Sequence, residues 1–584
     1  MTIRTARVPT RSTLLRWGLM IIIAVFVVRL FYLQIIRHDF YVSEARNIQV
    51  QPLTILPERG EIYMTDGDEI VPLVLNEKVY TVFADPANVK DSGATADTLR
   101  RLIGGNLVKD FESLLRDETK TIRYRVLARN VSREQAELIK KEDLAGIGMQ
   151  QNSRRVYPEG MLAAQTLGYV NNDGKGQYGL EESQNDRLAG RAGVLETVTD
   201  VRKIPLTIGD SDINTPAVNG DNLVLTVDRS VQLKAEELLK VGLERAKATK
   251  GSIVVMDPHS GGVIAMANLP TYDPEKYNEV EDYANFQNNV VSYPYENGSV
   301  IKALSMGAGL DSGAVTVNST FADGSGCTQV DDREICNVEE DPRQASATML
   351  DTLRYSLNTG VVYIAKRMGD GEINRTSRDT IYRYFHDKYR FGQLTGIEQA
   401  GEARGTIIAP NEQEGNNVRY ANMMFGQGMD LTMIQTAAAF SAEINGGTYY
   451  KPHLIAGIRD DDGVVTKRPA SIVAKDIISP ESSAEARDLI WQGRKTGFFG
   501  KNDRDGYKVG GKTGTSQVID PATGQYSDEN SVGTYIGFGG IDEPRYVIMV
   551  RVDDAKVGGY EGTTAAGPIF NDMSNWMLDN YPLR

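Results

Sequence analysis

A serine and a lysine three positions apart, Ser299 and Lys302, open a run of small and apolar residues, GSVIKALSMGAGL. A helix that begins near Gly298 would place both side chains on one face, because residues three apart are neighbours there. A hydroxyl at a helix N-terminus beside an amine can be an activated nucleophile. Taken alone, the pair is more often an N-cap followed by a surface lysine, so the rest of the chain has to decide.

Two motifs downstream could complete an acyl-transfer site around this pair, which contains the one serine of the chain with a lysine at i+3. Such a site also needs groups that bind substrate and that stabilise an oxyanion. The first candidate is Ser356-Leu357-Asn358, which enters an apolar helical run, and the second is Lys512-Thr513-Gly514-Thr515. The second motif lies on a probable strand, where neighbouring glycines would let a substrate backbone come close.

Each downstream motif has a decoy elsewhere in the sequence. Ser183-Gln184-Asn185 has the S-x-N form but precedes Ser299 in a loop-rich region, and Lys495-Thr496-Gly497 reads KTG at a probable helix end. Alone, Ser356 and Asn358 would more often cap a helix, and a lysine-bearing edge strand is commonly a solvated one. Only the combination and order of the three motifs favour catalysis.

The composition excludes several classes of protein. The chain has 584 residues, 41% hydrophobic and 24% charged, which indicates a folded protein of roughly three or four units. A net charge of −14 argues against nucleic acid as the main partner, because phosphate binding needs clustered Lys and Arg. The four histidines lie far apart and the two cysteines form no CxxC pair, so we expect no metal site.

The N-terminus predicts a membrane anchor. Four arginines lie in residues 1–16, ahead of the apolar run WGLMIIIAVFVVRLFYLQII at 17–36. That length suits one crossing, and the basic flank predicts a cytoplasmic tail and an extracytoplasmic remainder. Arg29 interrupts the run near its outer end, where a long side chain can snorkel or meet another helix. A cleaved signal peptide is the alternative, but no small-x-small cleavage site follows.

Cys327 and Cys336 frame a short polar segment, CTQVDDREIC. In an oxidising compartment the two could close a hairpin by a disulfide. Two free buried thiols are the alternative, and the sequence leaves both open.

The pattern of elements predicts an α/β (α+β) multidomain protein. Residues 37–220 mix short strand-like and helical runs and resemble a modest, elongated α+β module. In residues 221–584, hairpin-like runs stand at both ends, GSIVVMDPHSGGVIAMANLP near the start and SVGTYIGFGGI with RYVIMVRVDDA near the end. They predict one antiparallel sheet assembled from distant parts of the chain, with the intervening helices packed on it.

S-x-x-K, S-x-N and K-T-G in this order resemble the motif set of penicillin-binding proteins and serine β-lactamases. The flanks extend the likeness to penicillin-binding proteins over nearly the whole chain: YENGSVIK at 295–302, the FGQG-to-NGG region at 425–447, LPERGEIY at 56–63 and SRRVYPEGMLAAQTLGYVN at 153–171. They are similar to class B members, which have one transmembrane helix, a non-catalytic pedestal and a transpeptidase domain. The resemblance is closest to the division-type enzyme, although the elongation type shares most of these features.

The resemblance implies a reaction and roles for the motif residues. Ser299 would attack the carbonyl between the two terminal D-alanines of a peptidoglycan stem peptide, and an amine of a neighbouring stem would then take the acyl group. Lys302 would accept the Ser299 proton, with Lys512 as the nearby cation. Ser356 would relay the proton to the leaving amine, and Asn358 would bind the substrate's amide.

By the same resemblance, the strand motif binds the substrate's terminal carboxylate. Thr513 and Thr515 would hold it through their hydroxyls, with Gly514 between them and Lys512 supplying positive charge. The oxyanion hole would be the backbone N–H groups of Ser299 and Thr515. The chemistry requires no cofactor and no metal.

The partners implied by the resemblance are stem peptides ending in D-Ala-D-Ala, penicillin and other β-lactams, and a polytopic glycan polymerase of the shape, elongation, division and sporulation group. Three other classes stay open. A D,D-carboxypeptidase or β-lactamase would use the same motifs with water as acceptor. A β-lactam sensor would need several crossings, and a scaffold would keep the fold with catalysis secondary.

Three departures from the family pattern stand out. Asn297 occupies the place where proline is usual before the Gly-Ser of the first motif, and proline would fix φ there. TTAAGPIF at 563–570 carries Thr-Thr where Gly-Gly is frequent, with an additional Gly567. CTQVDDREIC has no family counterpart, and we expect it at the rim of the cleft.

Overall fold

The computed structural model describes residues 10–117, 119, 121–198, 214–338, 345–519, 526–559 and 561–581. The chain divides into two compact units. The first comprises Met1–Glu58 with Gly190–Asn219, and the second comprises Arg59–Ala189 with Gly220–Arg584.

Residues up to 219 form short helices and strands in mixed order. The helices are α1 Arg11–Phe31, α2 His38–Gln49, α3 Ser92–Ile103, α4 Phe111–Leu114, α5 Arg133–Lys141, α6 Ala164–Leu167, α7 Gly179–Ser183 and α8 Asn185–Ala189. The strands are β1 Val50–Ile55, β2 Ile62–Asp66, β3 Glu69–Ala84, β4 Arg125–Val131, β5 Ile147–Val156, β6 Tyr169–Val170, β7 Gly176–Gln177, β8 Gly193–Val198 and β9 Asn214–Thr215.

The rest of the chain is richer in helix. Its helices are α9 Arg229–Ala246, α10 Asn289–Ser292, α11 Ile301–Asp311, α12 Met349–Arg354, α13 Asn358–Arg367, α14 Arg375–Tyr382, α15 Asn417–Met423, α16 Met433–Ile444, α17 Pro480–Thr496 and α18 Gly567–Asn580. Its strands are β10 Asn222–Asp228, β11 Lys250–Met256, β12 Val263–Leu269, β13 Thr320–Ala322, β14 Cys327–Val330, β15 Arg333–Cys336, β16 Ser346–Thr348, β17 Tyr449–Tyr450, β18 Ile455–Arg459, β19 Val465–Lys467, β20 Ile472–Ala474, β21 Lys508–Ile519, β22 Tyr526–Gly540 and β23 Pro544–Asp553. Short 3₁₀ or π turns lie at Tyr32–Ile36, Gly104–Asn106, Pro274–Glu279, Tyr283–Phe286, Gly298–Val300, Arg383–Lys388, Gly500–Asn502 and Gly562–Ala566.

The predicted antiparallel sheet is confirmed. Five strands lie in the order β12-β11-β23-β22-β21, and every neighbouring pair is antiparallel. Alternate residues of β11 face two different cores: Val254 and Met256 pack with α11 and α16, whereas Ile253 and Val255 pack with α9 and α18. Because both faces are covered, these strands read as continuous apolar runs.

Helix α11 lies in the first of these cores and is buried from Ile301 to Leu310. Its small residues allow the close approach of neighbouring elements. A Cβ on Gly307 would lie 2.6 Å from the carboxyl carbon of Glu443, and a Cβ on Gly309 would lie 2.6 Å from a methyl of Ile364. A helix whose residues are apolar or small on all sides is typically a buried one. The hydrophobic core around α11 therefore fixes its position.

A second sheet joins both sides of the predicted boundary at residue 220. It runs β19-β18-β10-β2-β3-β4, with β5 also paired to β3. Strand β10 pairs in parallel with β2 and antiparallel with β18, so residues 62–156 and 222–467 contribute to one sheet within the second unit. The domain ranges 37–220 and 221–584 remain predictions.

Helix α1 continues through the π turn Tyr32–Ile36 to give an apolar helix, Arg11–Ile36, of 26 residues, in which an 18-residue stretch has a mean hydropathy of 2.6. At 1.5 Å per residue its length is about 39 Å, which exceeds the roughly 30 Å of a bilayer's hydrocarbon core. Arg29 lies within it, with its guanidinium 5.6 Å from the ring centre of Tyr32. Among the described residues this is the one helix long and apolar enough to cross a membrane.

Candidate active site

Ser299 lies in the 3₁₀ turn Gly298–Val300, which leads directly into α11. Gly298 has φ +65°, and a Cβ there would lie 2.8 Å from the Thr515 carbonyl oxygen. On the other side, the Gly298 N–H donates to the Gly426 carbonyl at 3.1 Å. The turn is therefore held between β21 and the loop that follows α15, and it leaves Ser299 partly exposed.

Lys302 is buried, with 1% of its surface exposed. Its Nζ donates to the Ser356 carbonyl oxygen and, at 3.2 Å, to Ser356 Oγ. A buried amine that has lost its water needs such acceptors for its N–H groups. The first and second motifs of the sequence are thus joined directly.

Lys512 reaches the same hydroxyl from β21. Its Nζ lies 2.9 Å from Ser356 Oγ and 3.1 Å from the Thr513 carbonyl oxygen, and 5% of the residue is exposed. Ser356 Oγ therefore stands between two amines that come from different motifs. Because a hydroxyl both accepts and donates, it can pass a proton from one neighbour to another.

Strand β21 lies alongside the turn that carries Ser299. A Cβ on Gly514 would lie 2.7 Å from the Asn297 carbonyl oxygen and 3.1 Å from a Val300 methyl, which is why this position takes glycine. Thr513 and Thr515, two residues apart, share the partly exposed face of the strand. Thr515 Oγ1 also accepts a hydrogen bond from the Gly562 N–H at 3.2 Å.

Asn358 is the first residue of α13, and its side chain is tied to the cysteine hairpin. Asn358 Nδ2 donates to the Cys336 carbonyl oxygen at 2.8 Å. Cys327 and Cys336 form a disulfide that closes the two-stranded hairpin β14–β15. The segment CTQVDDREIC thus contacts the S-x-N motif directly.

Asn297 adopts φ −73°, a value that proline also takes, so the backbone of this turn would accept either residue. The buried side chain adds hydrogen bonds that proline lacks. Asn297 Nδ2 donates to the carbonyl oxygens of Tyr295 at 3.0 Å and Leu431 at 3.1 Å, and Thr436 Oγ1 donates to Asn297 Oδ1. These bonds tie the turn to the start of α16.

The two decoy motifs have structural contacts elsewhere. Ser183 Oγ donates to the Glu398 carbonyl oxygen at 2.9 Å, and Asn185 Oδ1 accepts from the Arg59 guanidinium at 3.0 Å. Lys495 Nζ lies 4.8 Å from the ring centre of Trp491 at the end of α17. These contacts agree with the interpretation that the two decoy motifs lie at helix ends and stabilise loops.

A metal site finds no support in the part of the chain that the structure describes. The one group there with suitable spacing is Cys327, Glu334 and Cys336. Its two sulfurs are already bonded to each other, which leaves a single exposed carboxylate.

The contacts made by Gly426 and Gly562 are not evident from residue types. Gly426 lies so close to the turn Gly298–Val300 that a Cβ would come within 2.0 Å of the Gly298 carbonyl oxygen. The available signal was the likeness of the FGQG stretch and of TTAAGPIF to family sequences. A close contact between two backbone segments cannot be recognised from residue types in the sequence.

Two family models match the chain. The penicillin binding protein transpeptidase domain matches residues 251–575, and the penicillin-binding protein dimerisation domain matches residues 54–225. The transpeptidase match covers more than half of the chain.

Curated relatives align over nearly the full length. The chain is 31% identical to stage V sporulation protein D of Bacillus subtilis, with 99% of this chain and 87% of the relative covered. It is 28% identical to the peptidoglycan D,D-transpeptidase FtsI of Escherichia coli K12, with 97% and 91% covered. The crystal structure of penicillin binding protein 2X from Streptococcus thermophilus shares the fold, with a TM-score of 0.71, 22% identity, and 91% of this chain and 80% of that one covered.

The fold, the motif geometry and these matches agree with one another. A dimerisation domain precedes a transpeptidase domain, and an apolar N-terminal helix precedes both. Members of this family act on peptidoglycan stem peptides and bind β-lactams. The chain belongs to the penicillin-binding proteins, and within them to the class B peptidoglycan D,D-transpeptidases.

Proposed function

We propose that Ser299 is the nucleophile with which this protein cross-links peptidoglycan stem peptides during cell division. The observation that supports it is the position of Ser356 Oγ, 3.2 Å from Lys302 Nζ and 2.9 Å from Lys512 Nζ. This arrangement joins three motifs that lie far apart in the sequence. It provides a proton path beside the turn that presents Ser299.

The reaction proceeds in two halves. Lys302, in its neutral form, takes the Ser299 proton as Oγ attacks the carbonyl between the terminal D-alanines. Ser356 passes a proton to the leaving nitrogen, so that D-alanine departs and an acyl-enzyme ester remains. The amine of a neighbouring stem then attacks the ester and returns the proton to Ser299.

The strand and the turn supply binding groups for both halves. Thr513 and Thr515 hold the terminal carboxylate through their hydroxyls, beside Gly514, and Lys512 supplies the counter-charge. The backbone N–H groups of Ser299 and Thr515 hold the oxyanion of the tetrahedral intermediate. Loss of one such donor typically costs about 3 kcal/mol of transition-state stabilisation.

A fluorescent penicillin tests the nucleophile. We expect the full-length protein to acquire a stable fluorescent label, because the opened β-lactam blocks deacylation, and we expect Ser299→Ala to acquire none. A label that persists in the variant would place the nucleophile elsewhere. A folded wild type that is never labelled would favour the scaffold function, in which Ser299→Ala still supports growth.

Division is the cellular process that the relatives favour. The names of two full-length relatives, FtsI of E. coli and an FtsI homolog of Mesostigma viride, are those of D,D-transpeptidases, whereas the B. subtilis relative is named for sporulation. We expect depletion to give filamentous cells. Rounded cells would instead indicate the elongation type, and a defect confined to spores would indicate the sporulation type.

We also propose an orientation and a partner for the membrane anchor. The basic residues before Trp17 orient the N-terminus to the cytoplasm, which places the catalytic residues outside the cell membrane. The helix Arg11–Ile36 would be the contact for a polytopic glycan polymerase, with Arg29 facing that partner inside the bilayer.

A further inference from the structure

A polar cavity of about 430 Å³ lies between the tip of the cysteine hairpin and helix α15. Its volume falls in the range of cavities that bind small ligands. The hairpin turn forms one wall, and α15 with the loop that follows it forms the other. The residues on these walls include Asp332, Arg333, Asn416, Arg419, Asn422 and Gly428.

The helix wall of the cavity continues into the candidate active site. Gly428 belongs to this wall, and two positions earlier the Gly426 carbonyl oxygen accepts from the Gly298 N–H at 3.1 Å. Gly298 directly precedes Ser299. Since two residues span at most about 7 Å, the wall at Gly428 lies within roughly 10 Å of the turn that carries the nucleophile.

The hairpin wall is held in place at both of its ends. At the tip, Asn417 Nδ2 donates to Asp331 Oδ1 at 3.1 Å. At the base, Asn358 Nδ2 donates to the Cys336 carbonyl oxygen at 2.8 Å, and the disulfide joins the two strands. These contacts fix the hairpin turn beside α15 and connect the cavity to the S-x-N motif.

Charges of both signs stand on the cavity walls. Asp332 lies in the two-residue hairpin turn, Arg333 follows it directly, and both are exposed. Arg419 adds a second guanidinium from α15. A guanidinium suits a carboxylate, and a carboxylate accepts hydrogen bonds from an ammonium group. A ligand group with an amine beside a carboxylate would therefore complement these walls.

The two arginines differ in their attachments. Arg419 Nη1 donates to the Gly428 carbonyl oxygen at 3.1 Å, and Arg419 Nη2 lies 2.9 Å from Glu414 Oε2. Arg419 thus also holds the loop that reaches the Ser299 turn. Arg333 lies on an exposed hairpin, so its removal tests the cavity without disturbing that loop.

The stem peptide carries a diamino acid ahead of its terminal D-Ala-D-Ala. The side chain of this third residue ends in an amine alone, as in lysine, or in an amine beside a carboxylate, as in diaminopimelate. Counted from the scissile carbonyl, one D-alanine spans about 3.5 Å and four further side-chain bonds span about 5 Å. The end of the third side chain therefore reaches the distance at which the cavity begins.

We propose that the cavity between the hairpin tip and α15 binds the end of the stem peptide's third side chain, and that this end is an amine beside a carboxylate. Arg333 binds the carboxylate, and Asp332 binds the amine. This inference rests on the proposed function, in which Ser299 attacks the terminal amide of the same stem. It makes the enzyme selective for stems of the diaminopimelate type over stems of the lysine type.

The test measures acylation of the full-length protein in detergent by four penicillins that share a six-carbon acyl chain. The chain ends in an amine and a carboxylate (D-α-aminopimeloyl), a carboxylate alone (pimeloyl), an amine alone (6-aminohexanoyl) or neither group (hexanoyl). We expect the aminopimeloyl compound to react about 10-fold faster than the hexanoyl compound, the combined effect of two exposed ion pairs.

Three variants at the hairpin turn separate the two charges. Arg333→Ala should slow the two carboxylate-bearing penicillins about 3-fold, the effect of one exposed ion pair, and leave the other two unchanged. Asp332→Ala should slow only the two amine-bearing penicillins. Glu334→Gln removes a neighbouring exposed carboxylate and should preserve all four rates. Unchanged melting temperatures would show that the three variants are folded.

Equal rates of the wild type with all four penicillins would overturn the inference alone. Equal slowing of all four by Arg333→Ala would do the same, because the effect would then be structural. A wild type that prefers the 6-aminohexanoyl compound would assign the cavity to lysine-type stems and overturn the proposed ligand. A wild type that none of the four acylates overturns the proposed function, and this inference with it.

Discussion

Ser356 combines a hydroxyl at the centre of the candidate site with a strained backbone conformation. Its hydroxyl lies between the amines of Lys302 and Lys512, and its backbone has φ +60°. That left-handed conformation costs a residue with a Cβ about 1–2 kcal/mol relative to the right-handed one. A strained backbone at a position that joins three motifs is where function is expected to outweigh stability.

We predict that Ser356→Gly separates the effect of the hydroxyl from the effect of the backbone strain. Glycine relieves the strain, so the melting temperature should stay close to that of the wild type. Acylation by fluorescent penicillin should fall about 100-fold or more, because a general acid–base group typically contributes that much. Asp370→Gly is the matched control, since Asp370 is exposed with the same φ of 60° and should leave acylation unchanged. Full-rate acylation by Ser356→Gly would remove Ser356 from the proton path.

Among the elements, α11 packs against a buried carboxyl group. The carboxyl group of Glu443, on α16, packs against Gly307 of α11. Tyr389 Oη lies 2.8 Å from Glu443 Oε2 and 3.1 Å from the Leu304 carbonyl oxygen. Burial raises the pKa of Glu443 to about 8, so the carboxyl is mostly neutral at pH 7 and α11, which directly follows the turn of Ser299, is packed on an uncharged group.

We predict that Glu443 lowers stability as the pH rises. Its pKa is about 4.5 in the unfolded chain and about 8 in the folded one, so between these values only the folded state keeps the proton. The free energy of unfolding should then fall by about 1.4 kcal/mol per pH unit from this group alone. The loss should be complete above about pH 8, where both states are ionised.

Denaturant unfolding of wild type and Glu443→Gln at pH 5, 6, 7 and 8 measures this contribution. The wild-type advantage over the variant should shrink steadily across that range. Glu279→Gln, at an exposed position, should run parallel to the wild type. Parallel curves for Glu443→Gln as well would mean that the carboxyl is ionised in the fold.

The elements also mark the limit of reasoning from sequence. Hairpin-like apolar runs at both ends of residues 221–584 were enough to predict the antiparallel sheet, because that pattern is local to each pair of strands. The contact of Asn358 with the Cys336 carbonyl was beyond reach, since a backbone oxygen carries no sequence signal.

At the scale of the whole molecule, the second unit is one structure across the predicted domain boundary. Besides the pairing of β10 with β2, the Gln399 side chain donates to the Gln165 carbonyl at 2.9 Å and the Ala400 N–H donates to the Gly179 carbonyl at 3.2 Å. Neither pairing could be predicted, because short strands and loops more than 150 residues apart give no indication of register. Within the second unit, residues 59–189 therefore contact the transpeptidase region directly.

The proposed orientation of the anchor leads to a whole-chain prediction. Alkaline phosphatase needs disulfides and is active only in an oxidising, extracytoplasmic compartment. Fused after residue 37 it should be active, and inserted after residue 10 of the full-length chain it should be inactive, because the basic residues retain the N-terminus in the cytoplasm. The Cys327–Cys336 disulfide requires the same compartment as the first fusion.

Replacement of Arg4, Arg7, Arg11 and Arg16 by glutamine is the matched test of cause. It leaves the apolar helix intact and removes only the charge bias, so part of the chain should insert in the opposite direction and the activity of the residue-37 fusion should drop. Replacement of Arg29 by leucine should leave that fusion active, because Arg29 lies inside the span and not in its flank. An active residue-10 fusion in the unaltered chain would reverse the orientation and place Ser299 on the side of the membrane that has no peptidoglycan.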